Sequence, residues 1–387
     1  MVRVMRARSR WLGLGLSLIA CGGPASEADT GTMHDAATTG VDAAHDAASA
    51  ADDARAPDAS TPRRTFVYVG LTSGDLVTLD GETLAELSRT RTGNFPSFVA
   101  ATADGAHLFV VHEGASELAA VDVAPDGTTT VSARRSAPGG PTHVALDPSE
   151  THVLVASYGD GHVYGYGVSS GALVAGPTDN AICGAHAHQA VFDASGAFAL
   201  VPCLGDDAVR TLARGAGEAW AETSHASTAP GAGPRHLALS PDGRFAYVLD
   251  ELGGTLDVFS VAGGGVLSPV QTVSTLPDGF SGTNACAEVL VSADGAHVYA
   301  SNRGHDSIAV FAREAATGRV TLVEREPVGG QHPRSMTLAR GGSQLYVAAR
   351  DSDLVAIFDV ASDGSLSPAR TLSIPGHPYF IGEFAAP

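Results

Sequence analysis

One pattern recurs along most of this chain. A small residue opens it, apolar positions alternate, a turn forms near a Gly or acidic residue, and a second apolar run follows. Full units open at Pro96, Pro141, Ala187, Pro234, Cys286 and Pro333, and a seventh begins at Pro378; successive openings are 45, 46, 47, 52, 47 and 45 residues apart. Units of this length, each with two hairpins' worth of alternation, fit four-stranded propeller blades. The seventh unit, PYFIGEFAAP, has no partner strands after it, while FVYVGLTSGDLVTLDG near residue 65 supplies unpaired ones. Joining the two ends in one blade closes the ring and removes exposed strand edges. The expectation is an all-β, seven-bladed propeller over residues 65–387.

Equivalent positions in successive blades then lie on circles about a common axis. The residue after each opening gives Ser97, Thr142, His188, Arg235, Ala287, Arg334 and Tyr379; the next gives Phe98, His143, Gln189, His236, Glu288, Ser335 and Phe380. The second strand returns antiparallel, so its end lies beside the first strand's start. Those ends read His112-Glu113, Ser157-Tyr158, Cys203-Leu204, Asp250-Glu251, Asn302-Arg303 and Ala349-Arg350. Polar and charged residues therefore collect at one mouth of the channel, whereas turns such as Pro241-Asp242-Gly243 at the other end carry ordinary turn chemistry. His143 and His236 are expected to pack between blades, and His332 and His377, before opening prolines, to serve turns. Arg334 and Arg350 would widen the positive ring.

Ahead of the repeats, residues 1–20 read as an export signal: Arg3, Arg6, Arg8 and Arg10, then WLGLGLSLIA, too short to span a bilayer as a helix. Leu18-Ile19-Ala20-Cys21 resembles the bacterial lipobox, which implies lipidation of Cys21 and an exported, membrane-anchored lipoprotein, with the outer membrane favoured because Gly22 follows the cysteine. Residues 21–64 then form a polar tether without aromatic residues, unable to offset the entropy of ordering. The chain carries a formal charge of −19, which argues against nucleic acid as a partner. No CxxC or His/Cys cluster points to a metal, no cofactor is implied, and no GxSxG elbow supports a serine nucleophile.

GAGPRH at residues 231–236, DEL at 250–252, AEVLVSADGAHVYASNRG at 287–304 and HAH at 186–188 carry a resemblance. Over residues 65–387 the chain resembles the seven-bladed lactonase family of propeller-type 6-phosphogluconolactonases and carboxymuconate cyclases. The resemblance implies active-site positions at His188, Arg235, Glu251 and Arg303, with His186 and Glu288 in support and a lactone or anionic sugar as ligand for a monomeric protein. Opening a lactone needs a base for water, which His supplies near neutrality, and positive donors where oxyanion charge develops, which arginines supply. Asp250 stands where the family often has Asn, and Cys203 where it commonly has Asp. Because Cys183 precedes the HAH segment on the same mouth side as the end of the Cys203 strand, a Cys183–Cys203 disulfide pinning the histidine loop is expected, leaving Cys286 unpaired. The alternative is a non-catalytic propeller that uses the same mouth to hold a ligand or protein. Convergence of the four residues on one point would favour catalysis; pairing of Glu251 with both arginines and burial of the histidines would favour binding.

Overall fold

The computed structural model describes residues 64–387 apart from 175, 178 and 216–218; the expected signal segment, the Cys21 lipidation site and the tether up to residue 63 lie outside the described residues. Seven sheets follow one another along the chain, each with its strands hydrogen-bonded in sequence order and antiparallel. Two blades depart from strict order: in one, Ala172–Leu173 and Asp179–Ile182 both pair with His162–Ser169, and the other is the closing blade. There the C-terminal strand Pro378–Ala385 pairs with Thr65–Leu71, from Thr65 opposite Ala385 to Leu71 opposite Pro378, and becomes the innermost strand. The ring is therefore closed by backbone hydrogen bonds between the two ends of the domain, and the sheets form a seven-bladed propeller.

Period-2 alternation explains why the core is divided. The two middle strands of each blade are buried on both faces, as in FAYVLD at Phe245–Asp250, whereas outer strands such as Val266–Ser274 bury only scattered positions. Apolar side chains accordingly collect into seven clusters, one in each wedge between neighbouring blades. At the face away from the mouth, Ser240 donates to Asp242 (2.6 Å) and accepts from the Phe245 amide (3.0 Å), while Gly243 takes the left-handed φ of 68° that the turn requires.

Every inner strand carries the same irregularity near its start. Pro234 pairs with Asp250 but His236 pairs with Leu249, so one extra residue, Arg235, sits on the inner strand. Equivalent register shifts follow Pro96, Pro141, Cys286 and Pro333 and involve Pro378 and Phe380; in the fourth blade Ala187 bridges Cys203 while Val191 pairs with Leu200. A bulge places two consecutive side chains where a regular strand would alternate them. Here both circles reach the axis. This corrects the expectation for His143 and His236: they do not lie in the wedges between blades but meet across the centre, with ring centroids 5.9 Å apart. Phe98 contacts His143 (4.0 Å) and Phe380 (5.0 Å) in the same layer. That layer separates the mouth from an apolar cavity of about 280 Å³ at the far end of the channel.

Because the ring is closed by one strand, removing residues 378–387 should abolish cooperative folding, since the strand Thr65–Leu71 would lose its inner neighbour and keep only Asp75–Asp80, and the channel layer would lose Phe380. Thermal denaturation followed by circular dichroism checks this: the truncated chain is expected to show no cooperative transition near that of the full chain.

Candidate active site

The mouth is positioned by a backbone device repeated around the ring. The residue before an inner strand takes a left-handed conformation: Phe95 (φ 56°), Gly140 (68°), His186 (58°), Gly233 (65°), His332 (61°) and His377 (58°). In all six the carbonyl accepts the amide of the residue that follows the neighbouring strand: Phe95 from Glu113, Gly140 from Tyr158, His186 from Leu204, Gly233 from Glu251, His332 from Arg350 and His377 from Thr72. His332 and His377 thus occupy the turn positions expected of them. Of the pocket-lining residues, Glu113, Tyr158 and Glu251 are held in this way at their own backbone.

A pocket of about 120 Å³ opens there, lined by His188, Arg235, Glu251 and Arg303 together with Arg334, Glu113, Thr142, Tyr158 and Tyr379. All four residues implied by the resemblance are thus brought to one place. Glu251 bridges two arginines: Oε2 lies 2.8 Å from Arg235 Nε and 3.0 Å from Arg303 Nη2. Arg303 also donates to the carbonyls of Ala285 (3.0 Å) and Cys286 (2.9 Å), and Arg235 to that of Ala287. Arg235 is only 1% exposed, and a guanidinium so deeply desolvated persists because carboxylate and carbonyl oxygens replace water. Burial, with Arg334 and Arg303 nearby, pulls its pKa down to about 9, so it stays cationic at neutral pH. Burial would raise the Glu251 carboxyl, but Arg235 and Arg303 outweigh it and hold the group below its ordinary value.

Arg334 is held differently. Its guanidinium lies 3.6 Å over the Tyr379 ring, and its nearest carboxylate, Glu113, is 3.8 Å away and accepts from the Tyr379 hydroxyl at 3.2 Å. Arg334 Nε is buried without a hydrogen-bond partner among the described residues. The lining contains three guanidiniums and two carboxylates, one positive charge in excess, beside a His188 that burial and then Arg235 hold well below its ordinary pKa. A neutral imidazole among cations, with one uncompensated charge, suits a ligand that is anionic or becomes so.

The remaining expected residues fall around this centre. His186 does not line the pocket; its ring stacks on Tyr158 at 4.2 Å and its Nδ1 lies 2.9 Å from the Tyr158 carbonyl oxygen, so it braces a lining residue. Glu288 lies beneath the mouth, 2.7 Å from His236 Nδ1. Arg350 is not brought in, because the adjacent Asp351 captures its guanidinium at 2.6 Å. Cys183 and Cys203 are buried with sulfurs 2.8 Å apart, both present as thiols, and Cys286 is a third buried thiol. Glu113, Thr142, Tyr158 and Tyr379 were not singled out from the sequence, although each occupies a repeat offset already known to face the mouth.

A closed ring of seven blades with a cationic, glutamate-bridged mouth defines a β-propeller with a site suited to an anionic ligand. The sequence matches the family described as "Lactonase, 7-bladed beta-propeller" over residues 70–380, and the chain belongs to that family. Among relatives, a probable 6-phosphogluconolactonase of Arthroderma benhamiae is 28% identical over 337 residues, covering 79% of this chain and 85% of that protein. The 6-phosphogluconolactonase of Serratia proteamaculans is 27% identical, covering 73% and 86%. Among solved structures, the periplasmic gluconolactonase PpgL of Pseudomonas aeruginosa superposes with a TM-score of 0.76 at 27% identity, over 84% of this chain and all of the other.

Asp250, next to Glu251 and fully buried, is raised to about 7 by burial and by Asp257. An unfolded aspartate sheds its proton near 3.8, so between that pH and 7 the folded state holds more protons and loses stability as pH rises. Asp250→Asn, which removes the titrating group but keeps its shape, should therefore gain on the wild type by on the order of 3 kcal/mol between pH 4 and 8. Urea denaturation at a series of pH values measures this, and a difference that stays flat with pH would contradict it.

Proposed function

We propose that the protein is a lactonase-like hydrolase that opens a sugar or related lactone with an activated water. The observation that carries this reading is the convergence of His188, Arg235, Glu251 and Arg303 on one pocket with a third guanidinium, Arg334, left largely uncompensated. In this reading His188 takes a proton from water as its oxygen bonds to the lactone carbonyl carbon. Charge develops on the carbonyl oxygen beside Arg303 and Arg334, and collapse of the tetrahedral intermediate breaks the ring C–O bond. The departing alkoxide takes the proton back, so one water is added and a hydroxy acid leaves. Glu251 holds Arg235 and Arg303 at fixed separation, and preorganised donors of this kind supply much of the barrier reduction in acyl transfer.

A second reading has a specific observation behind it. Glu251 pairs with both arginines and His188 is 5% exposed, an arrangement that also suits a non-catalytic mouth holding an anionic sugar or protein group. Turnover separates the two. In a pH-stat assay against a panel of sugar lactones, the wild type should consume base, and Arg303→Ala should lower kcat on the order of 10²-fold or more. Binding of a sugar acid without turnover by the wild type would favour the second reading.

The proposed setting is outside the cytoplasm, on a membrane anchor at Cys21, as a monomer. The arginine-rich leader and the Leu18-Ile19-Ala20-Cys21 stretch support it, as does the similarity to a relative named periplasmic. In such a compartment the juxtaposed Cys183 and Cys203 form the proposed disulfide. Alkylation of the unreduced, denatured protein should then label Cys286 and neither of the other two; labelling of all three would exclude the bond.

A further inference from the structure

Between the mouth and the apolar cavity lies a far smaller space of about 10 Å³, whose walls include His188, His236, Glu288 and Arg334. That is roughly the room one water needs. Three of these walls hold a buried nitrogen with no hydrogen-bond partner among the described residues: His188 Nδ1, His236 Nε2 and Arg334 Nε. The rings of His188 and His236 are 5.1 Å apart, and on its other side His236 Nδ1 reaches Glu288 Oε1 at 2.7 Å. A polar pocket of one-water size, walled by unpaired nitrogens and backed by a carboxylate, is a built site rather than a packing defect.

It also answers a difficulty in using His188 as a base. Burial, Arg235, His236, Arg334 and Arg303 all oppose a positive charge on that ring, and Arg235, Arg334 and Arg303 likewise oppose one on His236, against only Glu251 and the adjoining Glu288. An imidazole that cannot afford to become imidazolium is a poor proton acceptor unless the charge is moved on. We propose that a single water in this space joins His188 Nδ1 to His236 Nε2, so that Glu288 receives the proton equivalent that His188 removes at the mouth.

The transfer balances without a cationic ring. As His188 Nε2 takes a proton from the attacking water, its Nδ1–H passes one to the buried water. That water passes one to His236 Nε2, and His236 Nδ1–H passes one to Glu288 Oε1. Both rings end neutral with their tautomers exchanged, and the carboxylate ends as a carboxylic acid. Burial, against the opposing influence of Arg235 and Arg334, pushes Glu288 up to about 7, so it gains and loses a proton near neutrality. His236, Glu288 and the water act through His188 and are positioning groups.

The mouth proton rests on the hydrolase reading, whereas the hydrogen-bonded chain does not, so the test reads both. In nitrogen-edited NMR of the full chain with ring-labelled histidine, His188 and His236 should stay neutral and exchange tautomers together as Glu288 ionises near pH 7. In Glu288→Gln, which keeps an acceptor oxygen but holds no exchangeable acid proton, neither should change. His236→Gln, breaking the chain one link earlier, should likewise freeze the tautomer of His188, and it serves if the first variant does not fold. With a turned-over lactone, Glu288→Gln should lower kcat on the order of 10²-fold and remove the ionisation from its pH profile. A His188 that titrates alone to imidazolium, or a wild-type tautomer change that survives in Glu288→Gln, overturns the relay. A wild type that exchanges tautomers as described but opens no lactone overturns the hydrolase reading instead.

Discussion

The one-residue bulge at the start of every inner strand is the constraint on which the rest depends. A regular strand would send consecutive side chains to opposite faces; the extra residue lets two in a row reach the channel. Arg235 and His236 therefore both serve the axis, the first at the mouth and the second in the layer beneath it, and Arg334 with Ser335 does the same two blades on. Without the bulge the mouth would lose either its guanidiniums or the histidines under them. Closure by Pro378–Ala385 matters for the same reason, because a circle of equivalent positions exists only if the last blade meets the first.

That geometry is held against considerable electrostatic cost. Three guanidiniums crowd one small pocket, one of them almost wholly buried, and several buried polar nitrogens at and beneath the pocket have no hydrogen-bond partner among the described residues. Glu251 is the compensation: its amide is anchored on the Gly233 carbonyl and its carboxylate lies between Arg235 and Arg303. Clusters of this kind are costly for folding and are found where a site needs them. The wedges between blades, which carry apolar burial and little else, supply the stability that the mouth spends.

Much of this was legible in the sequence. The spacing from Pro96 to Pro378 specified blade number and closure, equivalent offsets put His188, Arg235, Glu251 and Arg303 at the mouth, and the family resemblance singled those four out from the other mouth residues. The failures share a physical origin. A period-2 reading has no means of seeing a bulge, so His143 and His236 were assigned to the wedges when they meet on the axis. Arg350 stands at the offset of Arg303, yet the neighbouring Asp351 holds it out of the mouth, a competition that offsets alone do not resolve. Tyr158 and Tyr379 have no charge to draw notice, although one is braced by His186 and the other carries Arg334.

The central claim is that registration of seven blades makes one mouth suited to a carboxyl group passing between lactone and acid. A crystal structure with a bound sugar acid tests it most directly. The account predicts the carboxylate in the pocket between Arg303 and Arg334, with the His188 ring beside the carboxyl carbon. A sugar acid seated elsewhere on the propeller, with these three side chains untouched, would contradict it.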